Sequence, residues 1–437
     1  MSDAVSTATT IEPARRVRGC LRVPGDKSIS HRYAILAALA DGTSTLHGYA
    51  PGADCRTTLE CLRELGVAVQ IARSTQGSPD PTVTVDGLGL GGLRPVTAEL
   101  DAGNSGTTMR LLAGVLAAHP FVTRLTGDVS LRQRPMQRIV GPLETMGARI
   151  ETAAGRPPLT IHGGTLHGIE YVPEIPSAQV KSAILLAGLH ADGDTFVKEP
   201  TATRDHTERA LSAFGIDVQQ DDRGVGLVGG QRLTGTTLRV PGDCSAVAFW
   251  AAAAASLPGS EVEITDVGLN PTRTAFLDVL RAFGAEVSVE VSGTAAGEPF
   301  GTVRVRHHDI RPLSIGPDDV PGLIDELPAL AALAARGGDL EVKGATELRR
   351  KESDRIAVLT SGFRQLGGSV DEFPDGFHVH GTPMLTGGTV DAAGDHRMAM
   401  AFAVAALGAS GPSTITGHDV VDVSYPGFFD TLASICQ

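Results

Sequence analysis

Twice the chain reads VPGD and then enters a long stretch of small apolar residues: VPGDKSISHRYAILAALADG at residues 23–42 and VPGDCSAVAFWAAAAASLPG at residues 240–259. Both stretches are apolar on most sides of a helix, so we expect each to form a helix that is buried all round. The copies differ at one informative position, where Lys27 in the first corresponds to Cys244 in the second. Because the repeated architecture accepts either residue, we interpret Lys27 as serving a ligand or a proton transfer.

Four further stretches have the same character as these two. Each is a helix rich in small apolar residues that closes on a polar or glycine turn, which is typical of a buried helix and not of an amphipathic surface helix. The six predicted helices cover residues 28–42, 107–119, 180–190, 245–256, 326–336 and 395–408.

A second pattern alternates with the first, namely a helix end, then a glycine, then a strand-like alternation. Glycine suits the position just past a helix because the backbone there is often left-handed. Copies lie at residues 62–69, 143–150, 211–218, 280–287 and 363–370, with a weaker one at 428–435. Six helices of each kind in alternation predict six copies of one α/β unit.

The predicted fold class is therefore α/β, with short mixed sheets flanked by helices. Because a VPGD segment opens each half of the chain, the six units divide into two similar domains of three units. We place the first domain at residues 1–26 plus 240–437 and the second at residues 27–239, with the chain crossing near 24–27 and again near 240–243.

Composition excludes several classes of protein. Among 437 residues, 37 Lys and Arg against 50 Asp and Glu give a net charge of −13, and there are one Trp and four Tyr. A nucleic-acid surface needs basic patches and stacking aromatic residues, so that function is disfavoured. No apolar run is long enough to suggest a membrane span.

The cysteines and the N-terminus indicate a reducing compartment. The five cysteines include no CxxC pair, and an odd, sparse set is typical of reduced thiols. The opening MSDAVSTATT has neither the basic start nor the apolar core of a signal peptide. We expect a disordered N-terminal tail of about 12 residues and a cytoplasmic location.

Polar and basic residues gather at the starts of the buried helices, for example at Gly25-Asp26-Lys27-Ser28 and at Gly103-Asn104-Ser105-Gly106-Thr107. A helix N-terminus offers unpaired N–H groups and partial positive charge, and glycine there lets a ligand approach closely. Further basic segments lie at 131–135, 203–206 and 349–355. In an acidic chain, this convergence predicts a locally positive cleft for ligands that carry phosphates and carboxylates.

Other common chemistries find no support in the sequence. No GxxxxGK[ST] loop is present, and the GLGLGG stretch at 87–92 lacks the glycine spacing and the helix of a dinucleotide site. His206 and His396 lie beside acidic residues without an HExxH or CxxC motif. We therefore expect neither a metal ion nor a cofactor.

Nine segments of the chain together match the motifs of one enzyme family. In order, they are GDKSISHR (25–32), GNSGTTMR (103–110), LRQRPM (131–136), SAQVKSAILLAGL (177–189), TRDHTE (203–208), NPTRT (270–274), IDELP (324–328), KESDR (351–355) and DHRMAM (395–400). On these segments the chain resembles the EPSP synthases, or 3-phosphoshikimate 1-carboxyvinyltransferases, from about residue 15 to residue 435. Two of them, SAQVKSA and TRDHTE, resemble the branch that includes glyphosate-tolerant bacterial enzymes.

The resemblance implies two domains, each made of three βαβαββ units in an inside-out α/β barrel, with the active site in a cleft between them that closes on substrate. It implies transfer of the enolpyruvyl group of phosphoenolpyruvate to the 5-hydroxyl of shikimate 3-phosphate. Phosphate is released, and the pathway leads to chorismate and the aromatic amino acids. A cytoplasmic monomer without a cofactor is expected.

The resemblance also implies residue roles. Asp325 would act as the base near the hydroxyl, while Glu352 and Lys27 would share the proton transfers at the enolpyruvyl carbon and the leaving oxygen. Shikimate 3-phosphate would be held by Lys27, Ser28, Arg32, Ser177, Gln179, Arg204 and Lys351. Phosphoenolpyruvate would be held by Gly106, Arg132, Arg355 and Arg397, with Asn104 shaping the turn.

Two positions depart from the family pattern. Many members have a second serine where this chain has Ala178, so the missing hydrogen bond to phosphate is expected from Arg204. Many also carry a lysine shortly before an aromatic-proline pair, where this chain has Asp422-Val423-Ser424 before Tyr425. Tolerant relatives have alanine at the position of Gly106, so glyphosate is expected to compete with phosphoenolpyruvate here.

Two alternatives stay open at this stage. One is UDP-N-acetylglucosamine 1-carboxyvinyltransferase, which shares the fold and the donor but typically has Lys-Asn in place of Lys27-Ser28. The other is a non-catalytic phosphosugar-binding protein on the same scaffold, which would tolerate loss of Asp325 or Glu352.

Overall fold

A computed structural model describes residues 7–73, 80–382 and 384–437. The chain divides into two compact units, each described here by itself. Unit 1 contains Gly242–Gly293, Pro299–Gln437 and the described part of residues 1–23, and unit 2 contains Pro24–Pro241 and Thr294–Glu298. The chain therefore leaves unit 1 after Val23 and returns to it at Gly242.

Thirteen α-helices lie in the described part of the chain. They are α1 (Lys27–Leu39), α2 (Ala53–Glu64), α3 (Gly106–Leu116), α4 (Gln137–Thr145), α5 (Ala178–Gly188), α6 (His206–Ala213), α7 (Cys244–Ser256), α8 (Ala275–Phe283), α9 (Val320–Leu323), α10 (Leu327–Ala334), α11 (Arg355–Gln365), α12 (His396–Ala406) and α13 (Phe428–Ile435). Short 3-10 segments cover Leu131–Gln133, Thr346–Arg350 and His418–Val423.

The strands are short, and all but a few have fewer than eight residues. They are β1 (Ala8–Ile11), β2 (Arg18–Arg22), β3 (Asp41–His47), β4 (Ala68–Ala72), β5 (Thr82–Leu88), β6 (Leu100–Asp101), β7 (Val122–Thr126), β8 (Arg149–Ala153), β9 (Arg156–His162), β10 (Glu170–Tyr171), β11 (Asp194–Lys198), β12 (Val218–Asp221), β13 (Gly224–Val228), β14 (Thr237–Arg239), β15 (Glu261–Gly268), β16 (Glu286–Ala295), β17 (Glu298–Arg306), β18 (Leu313–Ile315), β19 (Leu340–Val342), β20 (Ser369–Phe373), β21 (Gly376–His380), β22 (Thr389–Asp391) and β23 (Ser413–Thr416).

These strands form six sheets that share one pattern. Unit 2 contains β14-β3-β5-β4, β6-β7-β9-β8 and β10-β11-β13-β12, and unit 1 contains β2-β15-β17-β16, β18-β19-β21-β20 and β22-β23-β1. In every sheet, as written, the first pair of strands is parallel and the second pair is antiparallel. The prediction of six copies of one α/β unit is confirmed.

The six small-residue helices form the centres of the two cores. Helices α1, α3 and α5 in unit 2 and α7, α10 and α12 in unit 1 are buried along nearly their whole length, as their composition predicts. Small residues allow close packing: a Cβ atom on Gly114 of α3 would lie 2.2 Å from the carbonyl oxygen of Ala183 in α5. Within the described residues, no helix is long and apolar enough to cross a membrane.

The prediction of a disordered tail of about 12 residues is wrong for residues 8–11, whereas residues 1–6 lie outside the described part of the chain. Ala8–Ile11 form β1, which pairs with β23 from Ala8↔Thr416 to Ile11↔Ser413. In each of the other five sheets, the strand in this antiparallel position comes later in the chain than the strand with which it pairs. The edge of β23 is available to the β-branched segment Thr9–Ile11, whose Ile11 is buried.

Candidate active site

Lys27 is the first residue of α1, and the preceding Asp26 caps that helix by accepting the N–H of Ile29 at 2.9 Å. The Lys27 Nζ lies 2.9 Å from Asp54 Oδ2 near the start of α2. Ser28 follows Lys27 and is partly exposed. Sequence reasoning missed Asp54, because an acidic residue in the first turn of a helix is ordinary and carries no further signal.

Arg32 lies one turn further along α1 and is 4% exposed. Its Nε donates to Thr207 Oγ1 at 2.7 Å and its Nη2 donates to Ser182 Oγ at 2.8 Å. Its Nη1 donates to the carbonyl oxygen of Ser28 at 2.8 Å. Arg32 therefore joins α1 to α5 and α6 and stabilises the start of α1.

Gly106 opens α3, and Ser105 caps this helix by accepting the N–H of Thr108. Two guanidinium groups pack against this helix start. A Cβ atom on Gly106 would lie 2.7 Å from Nη1 of Arg110 and 3.4 Å from Nη1 of Arg134. The absence of a side chain at Gly106 thus lets two buried cations sit beside the N–H groups of α3, which makes this a favourable place for an anion.

Hydrogen bonds connect these cations to other predicted site residues. Arg110 donates to Gln179 Oε1 at 2.6 Å, and Gln179 donates to Thr107 Oγ1 at 2.9 Å. Arg134 donates to Asn104 Oδ1 at 2.6 Å. The structure therefore brings Gly106, Asn104 and Gln179 together.

Neither Arg110 nor Arg134 is among the predicted site residues, although both lie in the matching segments. The available signal was the pair of arginines in LRQRP, of which the structure leaves Arg132 exposed and buries Arg134. Arg132 Nε lies 3.4 Å from the carbonyl oxygen of Asp128.

The remaining predicted residues of unit 2 lie near helix starts. Ser177 caps α5, Ala178 is its first residue, and Arg204 is partly buried just before α6. We call the ten predicted site residues of unit 2 the unit 2 cluster. They are Lys27, Ser28, Arg32, Asn104, Gly106, Arg132, Ser177, Ala178, Gln179 and Arg204.

A cavity of about 200 Å³ borders Ser177 in unit 2. Its buried Lys181 is 1% exposed and forms ion pairs with Glu199 at 2.8 Å and Glu208 at 2.5 Å. Burial raises the pKa of Glu208 although Lys181 opposes this effect. The lining carries two basic and two acidic side chains, Lys181, Lys198, Glu174 and Glu199, and its hydroxyl groups are Ser177, Thr201 and Thr203.

In unit 1 the predicted residues gather around Arg355, which opens α11 and is 1% exposed. Its Nε donates to Asp395 Oδ2 at 2.8 Å, and its Nη2 donates to Glu352 Oε2 at 2.7 Å. Its Nη1 lies 3.5 Å from Asp325 Oδ1. Burial alone would lower the pKa of Arg355, but Asp395, Glu352 and Asp325 outweigh it and raise that pKa.

Asp325 has further cationic neighbours. Lys351 Nζ lies 3.5 Å from its Oδ1, and Arg397 Nη2 lies 3.9 Å from its Oδ2. Arg397 also donates to the backbone oxygen of Asp325 at 2.7 Å. We call Asp325, Lys351, Glu352, Arg355 and Arg397 the unit 1 cluster.

The two catalytic carboxylates expected from the sequence remain partly accessible. The side chain of Asp325 is 15% exposed and that of Glu352 is 17% exposed, whereas the guanidinium that lies between them is covered. Carboxylates held next to fixed cations can exchange protons with a bound molecule without losing their position. Asp395, which is not among the predicted site residues, is fully buried and caps α12 beside Arg397.

The fold is that of the enolpyruvyl transferases. The enolpyruvyl transferase NikO from Streptomyces tendae is 19% identical, covers 98% of this chain and 96% of its own, and superposes with a TM-score of 0.79. That likeness concerns the fold alone. A solved EPSP synthase from Acinetobacter baumannii is 42% identical, covers 98% of both chains and gives a TM-score of 0.85.

The chain belongs to the EPSP synthase family, described as 3-phosphoshikimate 1-carboxyvinyltransferase, whose model matches residues 11–432. A 3-phosphoshikimate 1-carboxyvinyltransferase from Halorhodospira halophila is 50% identical over 97% of this chain and 94% of that protein. One from Brevibacillus brevis is 45% identical over 98% of this chain and 99% of that protein.

The activity follows from this membership. The substrates are phosphoenolpyruvate and shikimate 3-phosphate, and the enolpyruvyl group is transferred to the 5-hydroxyl with release of phosphate, in the shikimate pathway to chorismate and aromatic amino acids. The alternative of UDP-N-acetylglucosamine 1-carboxyvinyltransferase is not favoured, because relatives named 3-phosphoshikimate 1-carboxyvinyltransferase match nearly the whole chain.

Proposed function

We propose that the unit 1 cluster supplies the two carboxylates of the reaction and that Lys27 of the unit 2 cluster assists one of them. Asp325 accepts the proton of the 5-hydroxyl. Glu352 and Lys27 share the proton transfers at the enolpyruvyl carbon and at the leaving phosphate oxygen. The observation that supports this most is the pair of partly exposed carboxylates on either side of the buried Arg355 guanidinium.

The chemistry sets the number of groups needed. The hydroxyl oxygen attacks C2 of phosphoenolpyruvate and loses its proton, while C3 gains a proton and becomes a methyl group. The tetrahedral intermediate then loses phosphate, and C3 returns one proton to the group that supplied it. One base at the hydroxyl and one reversible acid at C3 are therefore required, with cations around the departing phosphate.

The remaining predicted residues bind the charged groups of the two substrates. We propose that shikimate 3-phosphate is bound by seven residues, with Ala178 at the helix start beside Ser177. The seven are Lys27, Ser28, Arg32, Ser177, Gln179, Arg204 and Lys351. Phosphoenolpyruvate binds Gly106, Arg132, Arg355 and Arg397, with Asn104 holding the turn. Arg110 and Arg134 beside Gly106 support this proposal, because they add fixed positive charge at the start of α3.

The test is phosphate release from phosphoenolpyruvate in the presence of shikimate 3-phosphate for Asp325→Asn and Glu352→Gln. We expect turnover to fall at least ~100-fold in each, the scale of a positioned acid or base. Glu263→Gln is the matched control, because Glu263 also pairs with an arginine in unit 1, at 2.5 Å from Arg304, but on the surface. Near-normal turnover in both site variants would contradict the assignment.

Glyphosate, the oligomeric state and the location complete the proposal. Glyphosate inhibits in competition with phosphoenolpyruvate, because the start of α3 carries no Cβ atom at Gly106. The enzyme acts as a monomer in the cytoplasm. The location is supported by the lack of any disulfide among its five cysteines, all within the described residues. Light scattering with both substrates present should give the mass of one 45.2 kDa chain.

A further inference from the structure

One face of the sheet β18-β19-β21-β20 in unit 1 carries two histidines on one strand. Successive side chains of a strand point to opposite faces, so residues two apart share a face. Phe377 and Val379 of β21 are fully buried, whereas His378 and His380 alternate with them and are 24% and 38% exposed. This strand therefore presents two neighbouring imidazoles outward.

A carboxylate from outside β21 lies against both imidazoles. Asp339 precedes β19, and its Oδ1 lies 2.8 Å from Nε2 of His378. Its Oδ2 lies 3.9 Å from Nδ1 of His380. One ligand atom from each residue can be chosen so that all lie within 4.8 Å of one another. Around tetrahedral Zn²⁺, bonds of about 2.0–2.1 Å place donor atoms roughly 3.3 Å apart, so small side-chain rotations suffice.

A second carboxylate lies on the far side of His380. Asp371 of β20 places its Oδ2 2.8 Å from Nε2 of His380, the ring nitrogen that does not face Asp339. A carboxylate on the outer nitrogen of a histidine is the usual support of a metal-binding imidazole. With its N–H donated to Asp371, His380 keeps the lone pair of Nδ1 on the side of Asp339.

We propose that Asp339, His378 and His380 bind a divalent transition metal ion, for which Zn²⁺ is the best match, and that Asp371 orients His380. Two imidazole nitrogens and one carboxylate oxygen suit Zn²⁺ and not Mg²⁺, which prefers oxygen ligands alone. Water completes the coordination, because the site is partly exposed. The ion joins the segment before β19 to β21, and its ligands belong to neither the unit 1 cluster nor the unit 2 cluster.

The competing interpretation is a set of ion pairs between protonated histidines and aspartates. The two imidazole rings have their centroids 3.9 Å apart, and two positive rings at that distance would repel each other. A metal ion instead needs both rings neutral and competes with protons for them. Saturable zinc binding distinguishes the two interpretations, because ion pairs between histidines and aspartates need no metal ion.

Calorimetric titration of the tag-free full chain with ZnCl₂, after removal of metals by chelator, tests the proposal. We expect one saturable site that MgCl₂ does not occupy. Asp371→Asn should weaken zinc binding roughly 10- to 100-fold, and His378→Ala and His380→Ala should weaken it more than that. His162→Ala is the matched control, because His162 forms a surface pair with Glu151 at 3.1 Å; its variant should bind zinc like the wild type.

Circular dichroism and turnover accompany the titration, and we expect both to be unchanged in the His378→Ala variant. If that variant does not fold, the Asp371→Asn variant and the wild type still decide the question. The proposal is overturned if the wild-type chain shows no saturable zinc binding, or if zinc binds equally well to folded His378→Ala and His380→Ala variants.

Discussion

Lys27 and Cys244 occupy equivalent places, and their surroundings differ in a way that sequence could not show. Each is the first residue of a buried helix and follows an aspartate that caps it. Cys244 is 2% exposed, whereas the Lys27 side chain is 17% exposed and its Nζ lies 2.9 Å from Asp54 Oδ2. The fold therefore buries the cysteine as a small apolar residue and leaves the lysine accessible.

This contrast predicts opposite effects of substitution. Lys27→Met should leave a folded protein whose turnover falls at least ~100-fold, because an acid–base group is lost. Cys244→Ala should keep most of the activity, because the buried thiol faces the backbone oxygen of Arg273 at 3.7 Å and is not among the proposed site residues. Steady-state phosphate release, with circular dichroism as a check of folding, measures both. Turnover close to wild type in the Lys27 variant would exclude its proposed role.

Gly106 allows a second prediction at the scale of single atoms. In Gly106→Ala the new methyl group would lie 2.7 Å from Arg110 Nη1, so the end of that side chain must shift. Folding should survive, but glyphosate should bind less well relative to phosphoenolpyruvate by roughly 5- to 150-fold, the equivalent of about 1–3 kcal/mol for an overpacked site.

The measurement compares inhibition constants for glyphosate with Michaelis constants for phosphoenolpyruvate. Gly141→Ala in α4 is the matched control, because a Cβ atom there meets nothing within 4 Å. Equal insensitivity of wild type and Gly106→Ala to glyphosate would show that the steric argument fails.

At the scale of elements, the ends of α3 and α5 bring two histidines together in unit 2. The rings of His119 and His190 have their centroids 5.2 Å apart. Burial, with a smaller contribution from His119, lowers the pKa of His190 to about 3, and burial also lowers that of His119. Above the usual histidine pKa of about 6.5 these rings are neutral in both folded and unfolded chains.

Acid should therefore destabilise unit 2. Below about pH 6.5, His190 binds a proton in the unfolded chain but stays neutral in the folded chain. The free energy of unfolding therefore falls as the pH drops toward 3. Between pH 7.5 and 5.0, His190→Gln should lose less stability than the wild type, by up to about 2 kcal/mol. Urea unfolding at both pH values measures this difference. His162→Gln, on the surface, should follow the wild type, and an unchanged pH response in His190→Gln would contradict the prediction.

The sequence predicts elements better than it predicts contacts between them. The six buried helices and the following glycine turns are local patterns, so composition and spacing reveal them. The sequence does not reveal the importance of Asp54, Asp395 and Arg134, because it depends on their contacts with residues of other elements. The two histidines of HVH at 378–380 are visible in the chain, but Asp339 and Asp371 join them only through pairing of β21 with β19 and β20.

At the scale of the whole molecule, each unit carries its own cluster of cations at helix starts. We keep the expectation that the substrates bind in a cleft that closes, since like charges oppose closure until anions neutralise them. The radius of gyration from small-angle X-ray scattering should fall when shikimate 3-phosphate and a phosphoenolpyruvate mimic are added together. Lys27→Met should show a smaller change, and identical curves for the wild type with and without ligands would contradict closure.

The parallel pairing of β2 with β15 has a consequence for how the chain emerges from the ribosome. All of Pro24–Pro241 is translated between these two strands, which takes roughly 10–45 s at bacterial to eukaryotic rates. Nearly the whole of unit 2 can fold during that interval, before β15 has been made to pair with β2 (Arg18–Arg22). Its two flanking arginines discourage pairing with other nascent chains. Synthesis thus imposes an order in which most of unit 2, Pro24–Pro241, is complete before the larger part of unit 1 has been made.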